Sequence, residues 1–205
     1  MIVNNSVGKD NWTQLKNVNE PLATCNVTAC INAAQAAGWD VMALRRSLSP
    51  RPADDLFMFI RLDQDCNRLW KSYDPDGKIP INQWMAPLAL GLAKWLGKHD
   101  SASFRMAKWE EMRDCIIAGG SCVVSGHYKT TDKDIDHITA LVGIDYDPAT
   151  MVVNSWIMDD SYGDYRTGYE VKYGDNITMA HADLLYLLKE QKINSKRCVL
   201  VPKKV

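Results

Sequence analysis

The chain has 205 residues, 46% of them hydrophobic and 24% charged, and a formal net charge of -1. That length suits one ordinary domain with a self-sufficient core, and the composition is that of a folded protein rather than a disordered one. Acidic and basic residues alternate throughout, so the sequence carries no electrostatic footprint for nucleic acid or an anionic membrane. Six cysteines are scattered without a zinc-ligand spacing, and most sit in apolar runs such as Ser121-Cys122-Val123-Val124, as small buried hydrophobes of a reducing compartment do.

Met1-Ile2-Val3-Asn4-Asn5 lacks the blocks of a secretory signal, and the most apolar stretch, Trp84 to Leu96, is too short to span a bilayer. The expectation is a cytoplasmic, monomeric protein without an integral membrane segment.

In chain order, a helix is expected over residues 25–37, with Thr24 as N-cap and Gly38 as stop. Phe59, Leu62, Cys66, Leu69, Trp70 and Tyr73 recur at helical spacing and predict one helix over 53–73. Further helices are expected from about 85 to 96, closed by Gly97, and from 109 to 118, closed by Gly119-Gly120. Trp84 and Trp95 share a face with Leu88 and Leu92, which assigns them to a core. Asp63-x-Asp65-x-Asn67 imitates a calcium loop, but Arg68 stands where glycine is needed, and a helix suits the segment better.

The second half reads as strands. Segments 121–128 and 138–146 alternate and are rich in β-branched residues, and Asp147-Pro148-Ala149-Thr150 has type I turn chemistry. A return strand follows over 151–156. A glycine- and tyrosine-rich loop (161–168), a strand near 169–173, a helix over 180–189 and a strand over 197–202 complete the chain. This order predicts an α+β fold with two lobes: a helical part over about 10–118 and an antiparallel sheet over about 119–205, in one domain.

Cys25 begins a helix, where unpaired N–H groups and the helix dipole favour a thiolate. Val27, Cys30, Ile31, Ala34 and Ala37 form an apolar stripe roughly opposite Cys25, so Cys30 belongs to the core and Cys25 points towards whatever packs across the cleft. Among the histidines, His137 heads a strand and is the expected base, with His127 the runner-up. His99 follows a helix end, and His181 begins a helix. The acidic run Asp132-Lys133-Asp134-Ile135-Asp136 precedes His137 and is either a solvated loop or an influence on its charge. The return strand ends in Asn154-Ser155-Trp156, an amide that could orient an imidazole beside an indole that could cover the bond.

A cysteine at a helix start, a histidine heading a strand with Gly143 downstream, and Asn-Ser-Trp together resemble papain-like cysteine peptidases. The chain also resembles the small bacterial and phage relatives of bacteriocin-leader peptidases. The likeness spans roughly Trp12 to Tyr173. It implies a two-lobe fold with Gln14 in the oxyanion hole, Cys25 as nucleophile, His137 as general base, Asn154 as orienting residue and Trp156 as its shield, on the substrate-binding side. It also implies hydrolysis through a thioester, without metal or organic cofactor.

Gln14 stands eleven residues before Cys25, farther than in papain, and Asn26-Val27-Thr28 replaces the residues usual after the nucleophile. A tight turn at Pro148-Ala149 would pair Asn154 with Gly143 and set His137 opposite Asp160, which makes Asp160 the alternative orienting residue. The leading substrate is a peptidoglycan stem peptide, met by a phage-type endolysin after membrane breach. Specific protein processing, an idle papain-like binding or inhibitory module, and a thioester-using transferase are the other readings.

Overall fold

The computed structural model describes residues 1–129, 134–188 and 196–205. In chain order the elements are β1 (Ile2–Asn4), α1 (Cys25–Ala36), α2 (Pro52–Leu62), α3 (Gln64–Tyr73), α4 (Met85–Leu96), β2 (Ser103–Ala107) and α5 (Trp109–Ile117). They are followed by β3 (Ser121–Lys129), β4 (Asp134–Tyr146), β5 (Val153–Asp160), β6 (Gly174–Ala180), α6 (His181–Leu187) and β7 (Lys196–Val201). The architecture is mixed α+β.

The strands form one antiparallel sheet in the order β2-β7-β3-β4-β5-β6, with β1 paired to the second half of β4. Alternation along each strand gives the sheet two apolar faces. Val123, Ala140, Val142 and Val199 join the cluster of α1, α2 and α4 on one side. Val124, Leu141, Trp156 and Cys198 join that of α5 and α6 on the other. The sheet is therefore a middle layer, with the larger helical layer on the α1 face.

Two glycines permit close approach. At Gly143, which pairs with Asn4, a Cβ would stand 2.5 Å from the Val3 carbonyl oxygen. At Gly91 a Cβ would run into Ile60, so α2 and α4 pack tightly there. Buried carboxylates fasten the helical layer to its loops. Asp55 accepts from the Arg46, Leu48 and Ser49 amides and from Trp95 Nε1 (2.7 Å), and Asp54 accepts from the Val18 and Asn19 amides.

Several expectations need correction. The single helix over 53–73 is two helices. Asp63 is extended (φ -72, ψ 125), and its carboxylate caps the Asp65 and Cys66 amides, so the chain restarts after α2. Lys94 also holds Asp63 and Asp65, occupying the carboxylates of the calcium-like motif. β4 begins three residues before His137 rather than after it. The strand expected near 169–173 is irregular chain and β6 follows it, because Tyr169 adopts a left-handed conformation (φ 65) that interrupts an extended run. β2, expected as part of the helical half, joins the sheet through β7. Residues Asp132 and Lys133 of the acidic run and residue 189 of the last expected helix lie outside the described residues.

Candidate active site

Cys25 is the first residue of α1, as expected, and is partly exposed. Thr24 occupies the N-cap position without a side-chain capping bond; its hydroxyl accepts from Asn17 Nδ2 at 3.0 Å instead. The next turn of α1 is buried: Cys30 is inaccessible, and burial drives its thiol pKa well up. Of the two cysteines on α1, only Cys25 reaches the cleft. That cleft has a volume of about 840 Å³ and is lined by Cys25 and His137 together.

His137 sits on β4 opposite Gly126 of β3 and is 3% exposed. Its Nε2 meets Asp160 Oδ1 at 2.7 Å, and Cys25 stands near enough to act on the charge of its ring. With Nε2 committed to Asp160, Nδ1 is the nitrogen left for the sulfur. Burial works against a charged ring, but the Asp160 carboxylate and Cys25 outweigh it and hold the imidazole pKa up at about 10. The three groups are of the types that a thiol nucleophile, its base and an orienting carboxylate would need.

Asp160 is 1% exposed and all its bonds are internal. Oδ1 also accepts from the Tyr162 amide at 2.9 Å, and Oδ2 accepts from the Tyr169 hydroxyl at 3.1 Å. Tyr128, Tyr162 and Tyr169 stand edge-on to the imidazole, with centroids 5.4, 6.4 and 5.9 Å away. These rings exclude water from the His137–Asp160 bond.

The structure does not bring the other expected residues to this group. Asn154 is exposed, and its amide donates to Asp145 Oδ2 at 3.3 Å. The reason is register. β5 pairs Ile157 with Gly143 and Ser155 with Asp145, and a bulge follows between Asp145 and Tyr146. Asn154 therefore sits at the turn end of β5, about 20 Å of extended chain from Asp160. The alternative residue, Asp160, is the one that meets His137.

Trp156 is fully buried in the core on the α6 side, and its Nε1 donates to His181 Nδ1 at 2.9 Å. It neither shields His137 nor lines the cleft, and His181 is its acceptor. Gln14 is buried and not among the cleft-lining residues. Its Nε2 donates to the Pro21 carbonyl (3.0 Å), its Oε1 accepts from Ser161 Oγ (2.7 Å), and its backbone amide donates to the Ser161 carbonyl (3.0 Å). Gln14 thus clamps the chain just after Asp160 to the loop just before Cys25.

His127 also lines the cleft but meets Asp136 at 2.8 Å, so the described end of the acidic run partners His127 rather than His137. His99 is exposed beside Asp100. The sequence reading missed Tyr162 and Tyr169, although their loop was marked as rich in glycine and tyrosine. Behind the site, Asp159 is 2% exposed next to Asp175, and burial together with that second carboxylate pushes its pKa up to about 7.

Among the described residues, no group of three or more His, Cys, Asp or Glu side chains is arranged to hold a metal ion, and no helix is long and apolar enough to cross a membrane. No protein-family model matches the chain, and neither does any curated protein.

Proposed function

We propose that the chain is a cysteine peptidase with a papain-like division of labour, the helical layer supplying Cys25 and the sheet supplying His137. The observation that carries this reading is the buried His137–Asp160 bond with Cys25 beside it, Cys25 and His137 lining one cleft. A buried His–Asp pair beside a partly exposed thiol at a helix start is the setting in which a sulfur nucleophile is activated.

In the proposed reaction the Cys25 thiolate adds to an amide carbonyl, and the oxyanion forms near the N-terminus of α1, where the Cys25 N–H is a donor. The C–N bond breaks as His137 gives its proton to the leaving nitrogen, and a thioester remains. Water then loses a proton to His137 as its oxygen bonds the acyl carbon. The C–S bond breaks, the acid leaves, and the thiolate–imidazolium pair returns. Asp160 keeps the imidazole in position for both transfers.

Peptidoglycan stem peptides remain the leading substrate of this proposal. A second reading, cleavage of a specific protein, is favoured by the exposed apolar side chains at the cleft mouth: Leu22 at 77%, Ile79 at 44% and Met106 at 42%. An apolar polypeptide segment would cover them. The deciding experiment incubates wild type and Cys25→Ala with purified sacculi and with a mixed peptide library, and reads products by mass spectrometry. New termini in stem peptides or in library peptides, absent with the variant, are expected. Equal product from both proteins would remove the thiol mechanism. A Cys25 that iodoacetamide does not label at neutral pH would instead fit an idle binding module.

A further inference from the structure

We infer that Tyr169 is a positioning residue of this site: its hydroxyl fixes the rotation of the Asp160 carboxylate and, through it, the imidazole of His137. This rests on the peptidase reading only for its kinetic consequence, since the hydrogen bond itself is a property of the folded chain.

Asp160 has two oxygens with different duties. Oδ1 serves His137 Nε2 and the Tyr162 amide, and Oδ2 takes the Tyr169 hydroxyl at 3.1 Å in buried surroundings. Remove that hydroxyl and Oδ2 is left in an apolar pocket, with rotation about the Cβ–Cγ bond no longer opposed. The neighbouring phenols do not replace it. Tyr128 is committed to Thr139 at 2.8 Å, and Tyr162 reaches Asp160 through its backbone amide.

The backbone shows that this placement is imposed. Tyr169 has φ 65 and directly follows Gly168 at φ 62, two successive left-handed residues of which only the glycine is at ease. A bond from the Tyr169 amide to the Asp164 carbonyl (3.1 Å) and edge contacts of its ring with His137 and Tyr162 hold it there. Strain in a bulky residue whose polar tip reaches a buried carboxylate is the signature of a constraint imposed by a site rather than by local sequence.

The titratable groups facing His137 are Cys25 from α1, Asp160 from β5, Tyr128 from β3, and Tyr162 and Tyr169 from the loop after β5. Tyr169→Phe changes one atom of this set and keeps every ring. The test compares wild type, Tyr169→Phe and a distant hydroxyl deletion, Tyr146→Phe, by two readouts: the pH profile of Cys25 alkylation by iodoacetamide, and the NMR resonance of the hydrogen-bonded His137 ring proton.

For Tyr169→Phe, alkylation at neutral pH should fall about tenfold, as for loss of a partner that orients a reacting ligand. The limb set by His137 should move up by roughly one pH unit, because the Asp160 anion has lost a donor and favours the charged ring more strongly. The ring-proton resonance should shift upfield, and Tyr146→Phe should leave both readouts unchanged. An unchanged limb and an unchanged resonance in folded Tyr169→Phe would overturn the assignment, as would a uniform fall in rate with neither moving. If the phenylalanine variant does not fold, 3-fluorotyrosine at 169, a stronger donor, must move the limb set by His137 down, and a stationary limb overturns the inference. A wild-type Cys25 that does not alkylate sinks the peptidase reading alone, since the NMR comparison still decides Tyr169.

Discussion

Asp160 holds His137 at 2.7 Å although the two residues are not partners in the sheet: the ladder between β4 and β5 ends at Ala140 and Asp159. The contact forms where pairing stops. There the last residue of β5 turns its carboxylate toward a strand that has already left it, and the tyrosines of the following loop close over the bond.

Replacing Asp160 by Asn should reduce turnover by about 10²–10⁴, the range for a triad member whose loss disturbs the imidazole. Asn154→Ala should change it by less than about twofold, as for an exposed residue away from the site. Steady-state kinetics of the two variants, side by side, check the register. A large effect of Asn154 and none of Asp160 would mean that the β5 pairing described above is not the one in solution.

Gln14 separates two roles by what its loss changes. As a clamp, Gln14→Ala strands Ser161 Oγ and the Pro21 carbonyl and should cost about 2 kcal/mol of stability. As an oxyanion donor it would instead lower kcat by about 10²–10³ at unchanged stability. Urea denaturation and kcat on the same preparation distinguish them, and the stability loss is the expected result.

His137 should titrate near 10 instead of 6.5, because Asp160 and Cys25 favour its charged form more than burial disfavours it. A folded-state pKa raised above the unfolded one means that the folded protein binds the proton more tightly. The contribution to stability is therefore complete below pH 6.5 and is lost as pH rises toward 10. An NMR titration of the ring measures this directly. The stability difference between wild type and His137→Gln should shrink over the same window.

Asp159 runs the other way from an ordinary carboxylate. Its pKa of about 7, against 3.8 for the free group, makes the folded state hold a proton that the unfolded chain releases. Stability should fall as pH rises from about 4 to 7 and then level off, by up to about 4 kcal/mol. Asp159→Asn should therefore be more stable than wild type at pH 8 and gain little at pH 4. Thermal melts at the two pH values check the sign.

Cys25 and His137, which line one cleft, were legible because each is marked locally: Cys25 by a helix start, His137 by a β-branched run. α4 was legible for the same kind of reason, since Gly97 ends it in a left-handed conformation (φ 76). Asp160 was legible only as the alternative partner of His137, from a tight turn that sets the two opposite each other. The actual ladder is shifted at Leu141/Gly143 and Asp145/Tyr146, which no residue pattern announces. Asn154-Ser155-Trp156 has the right composition in the wrong place, with one residue in solvent and another in the core. Asp63 misled for a subtler reason. The apolar period carries through the break between α2 and α3, so a capping carboxylate was hidden inside an uninterrupted pattern.

Gln14 links two loops that flank the cleft-lining segments. The sulfur and the imidazole come from segments more than a hundred residues apart, yet one buried side chain ties the Ser161 turn to the Pro21 loop beside them. Leu22 extends from the far side of that anchor, 77% exposed at the rim. Leu22 can therefore be exchanged at the rim without touching the Gln14 bonds beneath it.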